Sequence, residues 1–452
     1  MKKSRFSIST SHIIMFSFLF AIIVGSLLLS LPVSSATGKA LPFVDALFTA
    51  TSATCVTGLV TVTTLSAWST FGHIVILFLI QIGGLGIITI MSGIMIAMNR
   101  KISMNDRLLL QDAFNLNSLS GLAKFVKKVI LGTFFIEAIG ALFYMTVFVP
   151  QFGLKGIWIS FFNSISAFCN AGIDIVAENS LCDYALNPII NFVTCALIVL
   201  GGLGYIVWWD ILRISKKIRK MGFKALRSLT LHSKIAIVAT LVLIFVGGLI
   251  IFLLEYNNPL TIKNLSLFDK IQVSLFQSIT TRTAGFATIP QENLTPSSAL
   301  ICILLMFIGG SPVGTAGGIK TVTIAVIFAS IVSTVKNRNE TVLFGRSISK
   351  SAITKALAVV GTSFAIMFTS SVLLSVVTDA PALDIVYETV SATATVGLTR
   401  NTTPLLNLFG KLIITATMYF GRIGPISLAL AFNVRKVNQN IIKNPTEDIS
   451  VG

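Results

Sequence analysis

Four glycines divide this chain at nearly equal intervals: Gly58, Gly172, Gly285 and Gly397, separated by 114, 113 and 112 residues. Each closes a short run of small and polar residues: ATCVTG (53–58), AFCNAG (167–172), TTRTAG (280–285) and TATVG (393–397). A repeat at this period constrains the fold strongly, because four equivalent loops can surround one axis. Inside a membrane, such loops can form a ring of backbone carbonyls around a dehydrated cation.

A membrane setting follows from composition. Of 452 residues, 54% are hydrophobic and only 11% charged, and the mean hydropathy is +0.88. A soluble protein of this size has no means of hiding that much apolar surface. The net charge of +17 could suggest nucleic acid, but its distribution points elsewhere. Of 34 Lys and Arg residues, 25 fall in residues 1–12, 99–128, 213–234, 335–355 and 433–452. These segments alternate with apolar, acid-containing ones, which is the positive-inside pattern. It places all five, with both termini, in the cytoplasm of a multi-pass plasma-membrane protein. The opposite face carries ten acids, among them Asp45, Asp174, Glu255, Asp269, Asp384 and Glu388, against seven basic residues. That balance favours cations near a pore mouth. The apolar run 12–31 is long enough to span, and reads as a retained first helix rather than a cleaved signal. The five cysteines show no metal-ligand spacing.

Each repeat reads as span, short apolar segment, span. The first spans are expected near 12–32, 127–149, 234–254 and 352–377, and the last near 71–98, 189–212, 297–334 and 410–432. The segments between them (45–57, 158–171, 269–284, 384–396) are too short to cross a core of about 30 Å at about 1.5 Å per residue. They are too apolar for free loops. Re-entrant helices that return as extended strands satisfy both facts, provided the irregular backbone lines a protein or water cavity. The expected fold is an all-α membrane protein. It has eight transmembrane helices and four re-entrant pore helices in four span–loop–span repeats around one pseudo-fourfold pore. The repeats are 1–103, 104–230, 231–345 and 346–452. Asp45, Asp269 and Asp384 stand where they can cap the short helices, complementing the positive helix ends.

No enzyme signature is present. The three histidines, His12, His73 and His232, are widely separated, and no buried pair of carboxylates is expected at helical spacing. The stretch GTAGGIKT (314–321) resembles a phosphate loop, but Ile319 replaces the glycine required before lysine. The four glycine segments carry the chemistry instead. Carbonyls converge on an axis only through backbone conformations that are costly for residues with a Cβ. Packing glycines alone would not explain why each follows a segment too short to span.

These segments, TCVTGL, FCNAGI, TRTAGF and ATVGL, resemble those of the potassium-translocating subunits of the Trk/Ktr/HKT superfamily. QIGGLG (81–86), LGGLGY (200–205), IGGSPVGTAGGIKT (308–321) and FGRIGP (420–425) strengthen the resemblance. It covers nearly the whole chain and is greatest for the Ktr membrane subunit. It implies potassium uptake through a filter of Val56, Thr57 and Gly58; Asn170, Ala171 and Gly172; Thr283, Ala284 and Gly285; and Thr395, Val396 and Gly397. Potassium is then the substrate. Relatives that prefer sodium carry serine at the first glycine position, where this chain has Gly58. Sodium as an activator, as in some relatives, stays open. So does a less selective sodium or ammonium pathway; a membrane enzyme or scaffold is the remote alternative.

The resemblance also implies a gate below the filter, an intramembrane loop interrupting the last span of the third repeat. Here that is residues 309–318: Gly309, Gly310, Ser311, Gly314, Thr315, Ala316, Gly317 and Gly318, with Lys320 at its end. The residues agree, because five glycines and Pro312 within ten positions cannot sustain a helix. Arg422, in the middle of the last span, is an intramembrane cation and so a functional candidate. It can donate to carbonyls freed in the loop. Arg282, three residues before Gly285, is expected to point behind the filter and pair with an outer acid such as Glu388. Glu137 and Asp210 read as structural. By resemblance, the partners are a cytosolic nucleotide-binding ring of KtrA or TrkA type, which the basic loop 213–234 could dock, and a second copy in a homodimer. The tail after Arg435 could contribute to the homodimer.

Overall fold

A computed structural model describes residues 10–98 and 121–424. The basic segments at 1–9 and 433–452 and most of 99–128 lie outside the described residues, as does the tail after Arg435. The element order repeats four times. A long apolar helix is followed by a short buried helix, then a loop, then a second apolar helix. The first set is α1 (Thr10–Leu29), α2 (Phe43–Cys55), the one-turn α3 (Thr64–Ala67), α4 (Thr70–Leu85) and α5 (Ile87–Ala97). The second is α6 (Leu122–Phe152), α7 (Leu154–Cys169), α8 (Pro188–Leu203) and α9 (Tyr205–Met221). The third is α10 (Leu231–Glu255), α11 (Leu267–Thr280), α12 (Pro296–Phe307) and α13 (Thr321–Val335). The fourth is α14 (Lys350–Val377), α15 (Ala382–Ala394) and α16 (Leu408–Ile423).

Four helices, α1, α6, α10 and α14, are each long and apolar enough to cross a bilayer. The bent pairs α4–α5 and α8–α9 raise the candidate spans to six. Large apolar side chains face outward along the long helices, as Phe20, Phe135, Phe245 and Phe368 do. The short helices α2, α7, α11 and α15 bury serines and threonines instead. Apolar outside and polar inside is the arrangement that hydrocarbon solvent selects.

The sets pack in cyclic order. Helix α4 lies against α7, α8 against α11, α12 against α15, and α16 returns to α2. Each second helix therefore supports the short helix of the next set, and the last closes on the first. Glycines permit the close approach. A Cβ on Gly83 would lie 2.1 Å from the Thr54 carbonyl oxygen, on Gly201 1.9 Å from that of Phe168, and on Gly421 2.2 Å from that of Thr393.

Two expectations need correcting. The acidic residues do not cap the short helices. Helices α2 and α15 begin after prolines, Pro42 and Pro381, and α11 is capped by Ser266, whose Oγ accepts from the Asp269 N–H. The aspartates sit in the first turn and are drawn to other partners: Asp45 to Lys411 at 2.5 Å, and Asp384 to Arg400 at 2.6 Å. Second, helix breaks are not confined to the third set. The chain bends by 95° after α4 and by 97° after α8. Gly86, Gly204 and Gly424 stand at three matching helix ends with φ of 82°, 92° and 89°. A left-handed residue cannot continue the i to i−4 ladder, and only glycine adopts it without cost.

Candidate ion pathway

The loops that follow α2, α7, α11 and α15 share one construction. The residue two before each glycine is left-handed: Val56 (φ 56°), Asn170 (61°), Thr283 (63°) and Thr395 (52°). Three of these are β-branched, for which this region is strained by about 1–3 kcal/mol. The glycines follow with φ of 101°, 64°, 84° and 98°. Strain at four matching positions is tolerated because the surrounding hydrogen bonds determine the backbone.

Those bonds come from a serine or threonine near each short helix's end, which the sequence reading missed. The Ser52 carbonyl accepts from Thr57 N–H at 2.8 Å, and its Oγ accepts from Gly58 N–H at 3.0 Å. Ser391 does the same for Val396 and Gly397 at 2.8 and 3.0 Å. The Ser166 carbonyl holds Ala171 N–H at 2.8 Å, and the Thr280 carbonyl holds Ala284 N–H at 3.0 Å. Their hydroxyls donate onward to the Ile173 and Phe286 carbonyls at 2.5 and 2.6 Å. A hydroxyl six or five residues before each glycine was the available signal. The loop N–H groups are thus used behind the loop. Among the described residues, no protein donor meets the carbonyls of Val56, Thr57, Asn170, Ala171, Thr283, Ala284, Thr395 or Val396.

The four loops interlock. A Cβ on Gly58 would lie 2.6 Å from the Ala171 carbonyl oxygen, and on Gly172 2.4 Å from that of Ala284. On Gly285 it would lie 2.5 Å from the Val396 oxygen, and on Gly397 2.2 Å from that of Thr57. Each glycine abuts the carbonyl before the next glycine, and the fourth abuts the first. The geometry gathers uncompensated carbonyl oxygens in a closed ring, which is what a dehydrated cation requires.

Residues 308–320, between α12 and α13, are non-helical and lie against this ring. Their backbone groups are satisfied chiefly by the break between α8 and α9. The Gly202 and Gly201 carbonyls accept from Ser311 and Thr315 N–H at 2.8 and 3.2 Å, and Tyr205 N–H donates to the Val313 carbonyl at 2.9 Å. Two irregular stretches at membrane depth therefore complete each other. The loop closes on itself through Gly309 N–H to the Ile319 carbonyl at 2.9 Å and Ser311 Oγ against Thr321 Oγ1, also at 2.9 Å. Lys320 donates to the Ala316 carbonyl at 2.6 Å. Arg422 donates to the Thr315 carbonyl at 2.7 Å and to the Gly83 carbonyl. Gly310 lies against Gly202, and Gly318 against Gly309.

The pairing expected of Arg282 and Glu388 does not occur. Arg282 is 5% exposed and donates backwards to the Thr240 carbonyl and hydroxyl on α10, both at 3.2 Å. Glu388 accepts from the hydroxyls of Thr399, at 2.6 Å, and Thr403. Each lies behind its own loop, Arg282 just past the end of α11 and Glu388 within α15, so neutral oxygens take the cation and hydroxyls take the acid. A small cavity lined by Ile198, Val199, Gly202, Ile279, Arg282 and Gly310 sits between α8, Arg282 and the 308–320 loop. Glu137 is buried against Gln81 Nε2 at 3.2 and 3.3 Å. Asp210 accepts from Thr230 N–H and Oγ1, both at 2.8 Å, and from Arg213. On the loop after Gly172, burial pushes the Asp174 carboxyl up to about 6, opposed by Ser180 and the Val176 and Ala177 N–H groups.

Several long apolar helices around a ring of free carbonyls are the arrangement of a cation transport protein. The chain matches the TrkH family, described as a cation transport protein, over residues 3–443, and belongs to that family. It is 40% identical to the Ktr system potassium uptake protein B of Bacillus subtilis, covering 98% of this chain and 96% of that protein. It is 37% identical to the potassium/sodium uptake protein NtpJ of Enterococcus hirae, covering 100% and 99%. Among solved structures, the potassium transporter TrkH from Vibrio parahaemolyticus has the same fold. The TM-score is 0.74 at 17% identity, over 95% of this chain and 86% of that one.

Proposed function

We propose that this protein takes up potassium across a bacterial plasma membrane through a carbonyl filter and a loop gate. The observation that carries the reading is the interlocked ring: four loops whose N–H groups are held from behind, leaving carbonyls free. The filter residues are 56–58, 170–172, 283–285 and 395–397, with potassium as the transported ion. Ions enter from the acidic outer face, lose water at the carbonyls and pass to the gate at 309–318, held by Lys320 and Arg422. The membrane potential drives entry at about 2.3 kcal/mol per charge per 100 mV.

The architecture proposed is eight spans in four repeats, 1–103, 104–230, 231–345 and 346–452, with both termini cytoplasmic. Helices α4–α5, α8–α9 and α12–α13 are then single broken spans, and α16 is the eighth. The relative named as part of a Ktr system supports a separate cytosolic regulatory subunit, a nucleotide-binding ring. A homodimer is part of the same reading. The potassium/sodium name of the second relative supports a second reading, sodium as co-substrate or activator.

Rubidium uptake and growth on low potassium, in a host lacking its own uptake systems, test the reading. Rescue that resists sodium competition is expected. Absence of rescue with the protein present in the membrane would overturn it. Deleting 309–318 should raise flux.

A further inference from the structure

The 308–320 loop is joined to the filter by side chains, not only by proximity. Thr315 Oγ1 donates to Asn170 Oδ1 at 2.9 Å and lies 3.1 Å from the Phe168 carbonyl. Gly317 N–H donates to Thr283 Oγ1 at 3.2 Å. A Cβ on Gly317 would lie 1.9 Å from Thr395 Oγ1. Asn170, Thr283 and Thr395 occupy the same left-handed position in three successive filter loops. All three are fully buried. The fourth loop has Val56 there, which packs towards Gly83 and offers no hydrogen bond.

We infer that Asn170 and Thr283 are positioning residues that join ion selection to gating, each giving its carbonyl to the filter and its side chain to the gate loop. This rests on the reading of 309–318 as the gate. A left-handed residue fixes the directions of its carbonyl and its side chain together, because few backbone rotations are open to it. Asn170 is tied to the neighbouring filter loop as well, through Nδ2 to the Arg282 carbonyl at 3.4 Å. When a cation occupies the carbonyls, the side chains stay aimed at Thr315 and Gly317. When the carbonyls turn away, the seat of the gate loop is lost. Coupling of this kind is reciprocal: a change at the gate loop must alter ion preference at the filter.

The reciprocity supplies the test. Thr283→Val and Thr315→Val keep side-chain shape but remove the hydroxyl that links loop to filter, whereas Thr283→Ser and Thr315→Ser retain it. Maximal rubidium uptake and the sodium concentration that halves it are measured together, in cells with matched membrane levels of protein. Both valine variants should shift both quantities by about 2- to 10-fold, the worth of one hydrogen bond. Each serine variant should lie nearer to wild type than its valine counterpart in both quantities. Valine variants that change flux without changing sodium competition, or serine variants that behave like valine, overturn the coupling. The 309–318 deletion separates the two levels of inference. If it raises flux while the valine variants are silent, only the coupling falls. If it does not raise flux, the gate reading falls and the coupling with it.

Discussion

Arg422 donates from Nη1 to the Thr315 carbonyl at 2.7 Å, tying α16 to the loop between α12 and α13. Its Nη2 reaches the Gly83 carbonyl on α4. One guanidinium thus binds carbonyls from two different sets. No other side chain among the described residues joins the 308–320 loop to the first set. Hydrogen bonds from a charged group are worth about 1.5–3 kcal/mol, or about 10- to 100-fold in an equilibrium. Arg422→Gln should therefore raise rubidium uptake several-fold at equal protein level. Arg422→Lys, with one point charge in place of the fork, should fall between. Slower uptake by the glutamine variant would show that the tie does not hold a closed state.

The filter glycines predict graded damage. At Gly397 a methyl group would lie 2.2 Å from the Thr57 carbonyl oxygen, on a backbone with φ of 98°. Neither atom is the end of a flexible side chain. Gly397→Ala should abolish uptake while the protein still reaches the membrane. At Gly58 the nearest carbonyl is 2.6 Å away. Gly58→Ser should retain partial flux and lose discrimination, read as sodium inhibiting rubidium uptake at a lower concentration than in wild type.

Gly204 tests the mutual completion of the two irregular stretches. A Cβ there would lie 2.4 Å from the Pro312 carbonyl oxygen, and its φ is 92°. Alanine would push the 308–320 loop off the end of α8 and expose carbonyls to hydrocarbon. Gly204→Ala should lower the thermal unfolding temperature of detergent-purified protein by several degrees. An unchanged temperature would mean that the loop relaxes freely.

Asp210 clamps α9 to the start of α10 through Thr230. At neutral pH, Asp210→Asn should cost about 1–3 kcal/mol by weakening charge-assisted bonds. Purified wild type and variant should differ in thermal stability at pH 7, and equal stabilities would show that the clamp contributes nothing.

Much of this was legible because membrane solvent allows few solutions. Apolar runs of about 20 residues, short segments between them and evenly spaced glycines lead to long helices, short buried helices and tight loops. The starts of α1, α6, α10 and α14 fall within a few residues of the expected positions. Less was legible where a helix ends although its composition continues. Residues 189–212 read as one apolar span, yet the chain turns at Gly204. The Gly-Gly-Leu-Gly of 201–204, repeated at 83–86, marked the turn, but glycine pairs also serve helix packing, and sequence alone does not separate the roles. The partner of Arg282 was not legible either, since a neutral carbonyl and hydroxyl leave no charge in the sequence to find. The serines behind the filter, Ser52, Ser166 and Ser391, were overlooked because a buried serine on a helix usually bonds its own backbone.

Gly84, Gly202 and Arg422 stand at one position, each following a glycine that packs on a short helix and each two residues before a left-handed one. A ring assembled from four separate copies of one subunit can carry an arginine at that position four times or not at all. Four guanidinium groups so close would repel one another and bar a cation altogether. Linking the four units in a single polypeptide removes that restriction: two members keep a bare backbone at Gly84 and Gly202 while one carries the charge at Arg422. Covalent fusion thus turns an all-or-none choice into a single adjustable one.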